Sequence, residues 1–177
     1  MAKNRYHKDY ELLESFDEKG RLKRQTRYIG KAFAFAAGEA QAKKQGKKLL
    51  LLLGVCWVCF IGAMIPNSMA MRSLFVALPF VFTAPLLVMA TDLCLTILRV
   101  GQPMERRHAE RMDNRFPPVS LFLFLFPAFA LLGEGIRILG GGSVLQGDFV
   151  FILCAALLVM SGGGCFSLRK SFMTKPI

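Results

Sequence analysis

The chain has 177 residues, 54% of them hydrophobic, and a positive mean hydropathy of +0.42. It also carries a net charge of +11. Apolar and basic residues fall into separate blocks, which excludes an ordinary soluble domain and fits the segregation a bilayer imposes.

The first block, residues 1–48, holds thirteen of the 23 lysines and arginines. Within it, Tyr10 to Phe16, the turn Asp17-Glu18-Lys19-Gly20 and Arg21 to Ile29 predict a β-hairpin, with Gly20 supplying a left-handed turn position. A short helix around Tyr10–Phe16 is the alternative. A lone hairpin is marginal in water, so it is expected to lean on the membrane surface or a partner. Lys31 to Gln45 is Ala-rich and predicts a helix running towards the first apolar run, with Phe33, Ala36, Ala37 and Ala40 on one stripe.

The apolar runs predict four membrane spans, at about 49–65, 73–98, 119–139 and 149–165, which together make a transmembrane domain of residues 49–165. Lys47 and Lys48 precede the first and are placed to snorkel, and Pro66-Asn67-Ser68 ends it. The second contains Asp92, Pro79 and Pro85, so tilt or a kink is expected. The third is expected to begin after Pro117-Pro118, and its far half carries Glu134 and Arg137. The fourth is expected to start with Asp148 as N-cap and to end or loosen at Gly162-Gly163-Gly164. The loop 99–118 between the second and third spans, and the tail 166–177, complete the chain.

Basic residues vote on orientation. Residues 1–48, the loop 99–118 and the tail hold all of the lysines and arginines except Arg72 and Arg137. The positive-inside rule therefore places both termini in the cytoplasm. The connections on the other side are short, which excludes a large exterior binding domain. The first apolar run begins too late for a cleaved secretory signal, and neither a myristoylation glycine nor a prenylation cysteine stands at an end. The compact layout suits a bacterial inner membrane.

Candidate chemistry is sparse. Cys56-Trp57-Val58-Cys59 is a CxxC at helical spacing. Four-helix membrane thiol oxidoreductases use such a pair beside a quinone. This pair sits mid-span, without a second cysteine pair in the outer loops and with thiolates disfavoured in hydrocarbon. The five cysteines read instead as small residues packed between helices. Asp92 is an acid inside a span, hence a proton or ion candidate; its position near the cytoplasmic border equally predicts pairing with Arg99 or a loop arginine. Glu134 and Arg137, three apart on a helix, predict a solvated ion pair near the outer surface. In the loop, Pro103 is placed to start a short helix on which Glu105 and Glu110 answer nearby arginines. Arg106, Arg107, Arg111 and Arg115, with Lys47 and Lys48, are candidates for contact with anionic headgroups or a protein partner. Nucleic acid is not expected, because the basic runs abut spans. No motif for a cofactor, metal or catalytic nucleophile is present.

The sequence thus predicts an all-α integral membrane protein: a four-helix transmembrane bundle with a basic cytoplasmic N-terminal region, in the cell membrane. Its expected role is non-enzymatic, as an accessory or interaction subunit with a lipid- or partner-facing basic cytoplasmic surface, with a protein partner or as a homo-oligomer. A small oligomeric transporter or channel subunit using Asp92 is the alternative, and a thiol oxidoreductase using Cys56 and Cys59 the second.

Overall fold

The computed structural model describes residues 9–16 and 22–177. Strands β1 (Tyr10–Phe16) and β2 (Leu22–Tyr28) pair antiparallel, with Tyr10 opposite Tyr28 and Phe16 opposite Leu22. This is the hairpin expected from the sequence; its turn, Asp17 to Gly20, lies outside the described residues. The Ala-rich helix expected from Lys31 does not form there. A short strand, β3 (Phe33–Phe35), comes first, because Phe33 exchanges backbone hydrogen bonds with Met104 (3.0 and 2.8 Å). Gly38 then takes a positive φ of 84°, open to glycine, and the helix begins one residue later.

Helix α1 (Glu39–Met64) therefore runs ten residues ahead of the apolar block, its first turn tied by a Glu39–Lys43 ion pair of 2.6 Å. A four-residue turn of helix, α2 (Met69–Arg72), leads into α3 (Leu74–Val81) and α4 (Thr83–Arg99), which meet at Phe82. The kink expected of the second span is this junction: Pro85 has no N–H to return to the carbonyl of Val81. Helix α5 (Arg106–Leu139) passes straight through Pro117-Pro118, so loop helix and third span are one element. The carbonyls those prolines free belong to Asp113 and Asn114, which are exposed and reachable by water. Helix α6 (Gln146–Ser167) likewise continues through its three glycines into a 3-10 turn, Leu168–Phe172. Strand β4 (Thr174–Pro176) pairs antiparallel with β3.

Four helical stretches, Glu39–Met64, Leu74–Arg99, Arg106–Leu139 and Gln146–Phe172, are long and apolar enough to cross a membrane. They form a closed ring, in which α1 packs on α4 and α6, and α5 packs on α3, α4 and α6. Phe60, Phe80 and Phe151 stack at its centre with centroids 5.1 Å apart in each step. The outward faces are also apolar: Leu51, Val58, Phe75, Phe149 and Met160 are all exposed.

The glycine run of α6 is a packing surface. Pro127 leaves the Leu123 carbonyl without its helical donor. Gly162 lies against that oxygen, and a Cβ built on Gly162 would stand 2.8 Å from it. A glycine there lets α6 approach closely enough for Cα–H to face the freed carbonyl.

Candidate functional site

Polar chemistry gathers at the two ends of the ring. At the end bearing the N-terminal segment, three distant parts of the chain are woven together. Phe33 bonds to Met104 before α5; the Ala36 amide donates to Met173 (2.8 Å) and the Ile177 amide to Ala32 (3.0 Å). The Asp113 carboxylate, on α5, accepts from the Thr174 amide (3.0 Å) and hydroxyl (2.6 Å). The hairpin is clasped to the same end by the ring pair Tyr10 and Tyr28, with centroids 5.3 Å apart. The Tyr10 hydroxyl donates to Glu105 (2.6 Å), while that of Tyr28 accepts from the Arg106 amide (2.9 Å) and donates to the Lys31 carbonyl (2.8 Å). The Glu105 carboxylate holds the Tyr10 phenol protonated, raising its pKa to about 12.

The cations expected to meet headgroups all lie at this end. Lys47, Lys48, Arg107 and Arg115 are exposed, and Arg106 pairs with Glu110 at 2.7 Å. Asp92 is paired, with Arg111 of α5 rather than Arg99, and it is half-exposed rather than buried. Its neighbour Thr91 accepts from the Trp57 indole (3.1 Å), linking α4 to α1.

Cys56 and Cys59 do not answer each other. Both thiols are free, as are the other three. Cys56 faces Cys165 and Ser161 on α6, and Cys59 neighbours Cys154 on the same helix. Among the described residues no cluster of three or more His, Cys, Asp or Glu is placed to hold a metal.

The far end differs from expectation. Glu134 and Arg137 are not a solvated pair: Glu134 is fully buried, and Arg137 grips it through Nε (2.8 Å) and Nη2 (2.6 Å). The same Nη2 reaches Asp148 at 3.0 Å, and Nη1 donates to the Ser143 carbonyl at 2.6 Å. Asp148, also fully buried, is not the N-cap of α6; Leu145 is. From the third helical position, Asp148 accepts the Leu145 amide (2.8 Å) and, across the loop, the Ala70 amide of α2 (3.1 Å). One part-exposed guanidinium and two buried carboxylates thus bind α2, α5, α6 and the last loop into a knot. Helical spacing reveals Glu134 with Arg137; nothing local in the sequence points to Asp148 as the third member.

No protein-family model, curated protein or solved structure matches this chain. What the molecule does is read from its own geometry.

Proposed function

We propose that this is an integral membrane protein crossing the bilayer four times with its woven, basic end in the cytoplasm. There it serves as a non-enzymatic accessory or interaction subunit. The observation that carries this reading is the cationic collar. Where each long helix meets the woven end it bears basic residues: Lys47 and Lys48 on α1, Arg99 on α4, Arg115 on α5, and Arg169 and Lys170 just beyond α6. Between collar and far end the outward faces carry many exposed apolar side chains, as a lipid-facing surface would. Helix α1, 26 residues, reaches ~39 Å at ~1.5 Å per residue, enough for a ~30 Å core plus the first headgroup layer.

An anionic inner surface attracts such a collar by ~1 kcal/mol per basic residue, while the hairpin and the three-way weave are free to present a protein-facing surface. Two features favour a structural role over transport or redox chemistry. Asp92 is already neutralised by Arg111 at the edge of the bundle. Cys56 and Cys59 each meet a thiol of α6, inside the helix packing, rather than forming a disulfide with each other.

The test is topological and then biochemical. Reporter fusions after Ala70 and Ser143 should report the exterior, and one at the C-terminus the cytosol. Sedimentation with vesicles should then be stronger for anionic than for zwitterionic lipid, or purification in mild detergent should retain a stoichiometric protein. Both loop reporters in the cytosol, or a chain soluble without detergent, would overturn the reading.

A further inference from the structure

We propose that the seam between α4 and α5 at the basic end is a binding site for a net-negative membrane phospholipid, its phosphate held by arginines. This rests on the reading that the basic end lies at an anionic membrane surface, and it names which part of that end is a site.

Arg107, Arg111 and Arg115 follow one another at four-residue steps on α5, so they form one stripe. The ion pair of Arg111 with Asp92 pins that stripe to α4. Arg99 lies seven residues beyond Asp92, on the same face of α4. Four guanidiniums therefore flank one carboxylate. On α1, on α5 and in the turn before it, the acids have other partners: Glu39 with Lys43, Glu105 with Tyr10, Glu110 with Arg106 and Asp113 with Thr174. Arg111 also has an Nε–H shut from solvent with no acceptor among the described residues. A buried guanidinium N–H calls for an oxygen.

The stripe spans ~12 Å from Arg107 to Arg115, eight residues at ~1.5 Å each. Beyond Arg115 the seam turns apolar. Val88 and Met89 of α4 and Phe122 of α5 are exposed along it, and Phe82 packs on Phe126 with centroids 6.0 Å apart. An occupant that satisfies both halves carries acidic oxygens at one end and hydrocarbon at the other. A phospholipid does so. Free phosphate fills the first half only, and an acidic peptide would leave polar backbone against the apolar half.

The full chain in detergent, titrated with phosphatidylglycerol or phosphatidylcholine and read by native mass spectrometry, tests the site. Wild type should prefer phosphatidylglycerol. The double variant Arg107→Gln/Arg115→Gln removes two cations that have no ion pair among the described residues, and it should weaken that lipid about thirtyfold, at ~1 kcal/mol per cation. Asp92→Asn/Arg111→Gln, which deletes the seam's ion pair without stranding a charge, should also weaken it. Lys47→Gln/Lys48→Gln, an equal loss of charge on α1, should change it by no more than about threefold. Millimolar inorganic phosphate or glycerol 3-phosphate should not compete. An equal loss in the lysine variant would sink the seam and leave the collar reading standing. Competition by inorganic phosphate would reassign the site to a soluble anion and overturn the lipid. No preference for phosphatidylglycerol in wild type would overturn the seam site and the collar's attraction to anionic lipid, and leave the protein-partner form of the reading to its own test.

Discussion

A guanidinium that answers buried carboxylates must also find acceptors for its hydrogens, and Arg137, part-buried, has Glu134, Asp148 and the Ser143 carbonyl. Replacing it with Leu would leave the buried carboxylates of Glu134 and Asp148 without their counter-charge, Asp148 keeping only its two backbone amides. Removing one partner of a buried pair costs ~3–5 kcal/mol, because the stranded charge keeps its full desolvation penalty. Arg137→Leu should therefore lower the unfolding temperature in detergent far more than the triple variant Glu134→Gln/Arg137→Met/Asp148→Asn, which strands no charge. Equal losses would mean that the ion pairing is incidental. Tyr10 gives a second prediction at this scale. Its phenol titrates at about 12 in the fold against an ordinary 10.0, so the clasp is intact below pH 10 and is lost as pH rises towards 12. Above pH 10 the unfolded chain sheds the proton that the folded one keeps, which favours unclasping. In an alkaline absorbance titration one tyrosine should ionise late, and Glu105→Gln should shorten the delay, leaving the part that burial contributes. The three-residue spacing of Glu134 and Arg137 was legible in the sequence, and so was the pairing of Asp92 with a loop arginine, from its place at the basic border of its span. Asp148 was not, since it joins Arg137 across a loop, and the expectation of a solvated pair fails at Glu134, which only helix packing buries, while Arg137 stays partly exposed.

At the level of elements, the apolar runs marked the four long helices, but the breaker residues misled at their borders. Pro117-Pro118 predicts a start and Gly162-Gly163-Gly164 an end or a loosening, yet helices run through both. Both rules assume that a helix pays locally for a missing donor or side chain. Here exposed turns answer the first, and helix packing answers the second. The hairpin was legible from alternation and turn residues, whereas β3 was not, because its partners Met104 and Thr174–Pro176 are far away in sequence. The adjacent glycines allow a sharp test of the packing argument. Gly162→Ala would push a methyl group to 2.8 Å from the Leu123 oxygen, whereas Gly163→Ala would place one 3.6 Å from the Phe124 ring, an ordinary contact. Alanine gains ~1 kcal/mol of helix propensity over glycine. Gly163→Ala should thus be neutral or stabilising, and Gly162→Ala should destabilise by ~1–3 kcal/mol through overpacking. Thermal unfolding of the two variants side by side measures the difference. If both behave as Gly163→Ala, α6 is not pressed against α5 at that point.

For the whole molecule, the weave explains why three basic segments, far apart in the chain, share one end. An even number of crossings brings the N-terminal region, the loop before α5 and the tail to the same face, and backbone hydrogen bonds then fasten them there. Like charges gathered in this way repel, so the fastening must come from uncharged backbone and from the few acids available. Asp113 is the acid that holds the tail, through the amide and hydroxyl of Thr174. Its loss should loosen β4 without melting the ring, because the helices pack through cores that the tail does not enter beyond Phe172. In Asp113→Ala, hydrogen exchange at the amides of Ala36 and Ile177, which depend on tail pairing, should quicken about tenfold, the ~1.4 kcal/mol expected of a charge-assisted contact. The Phe33–Met104 amides, which join the N-terminal segment to α5 without the tail, should keep their protection. If all four amides quicken together, the three segments form one cooperative cap, and the tail is a structural part of the basic end rather than an addition to it.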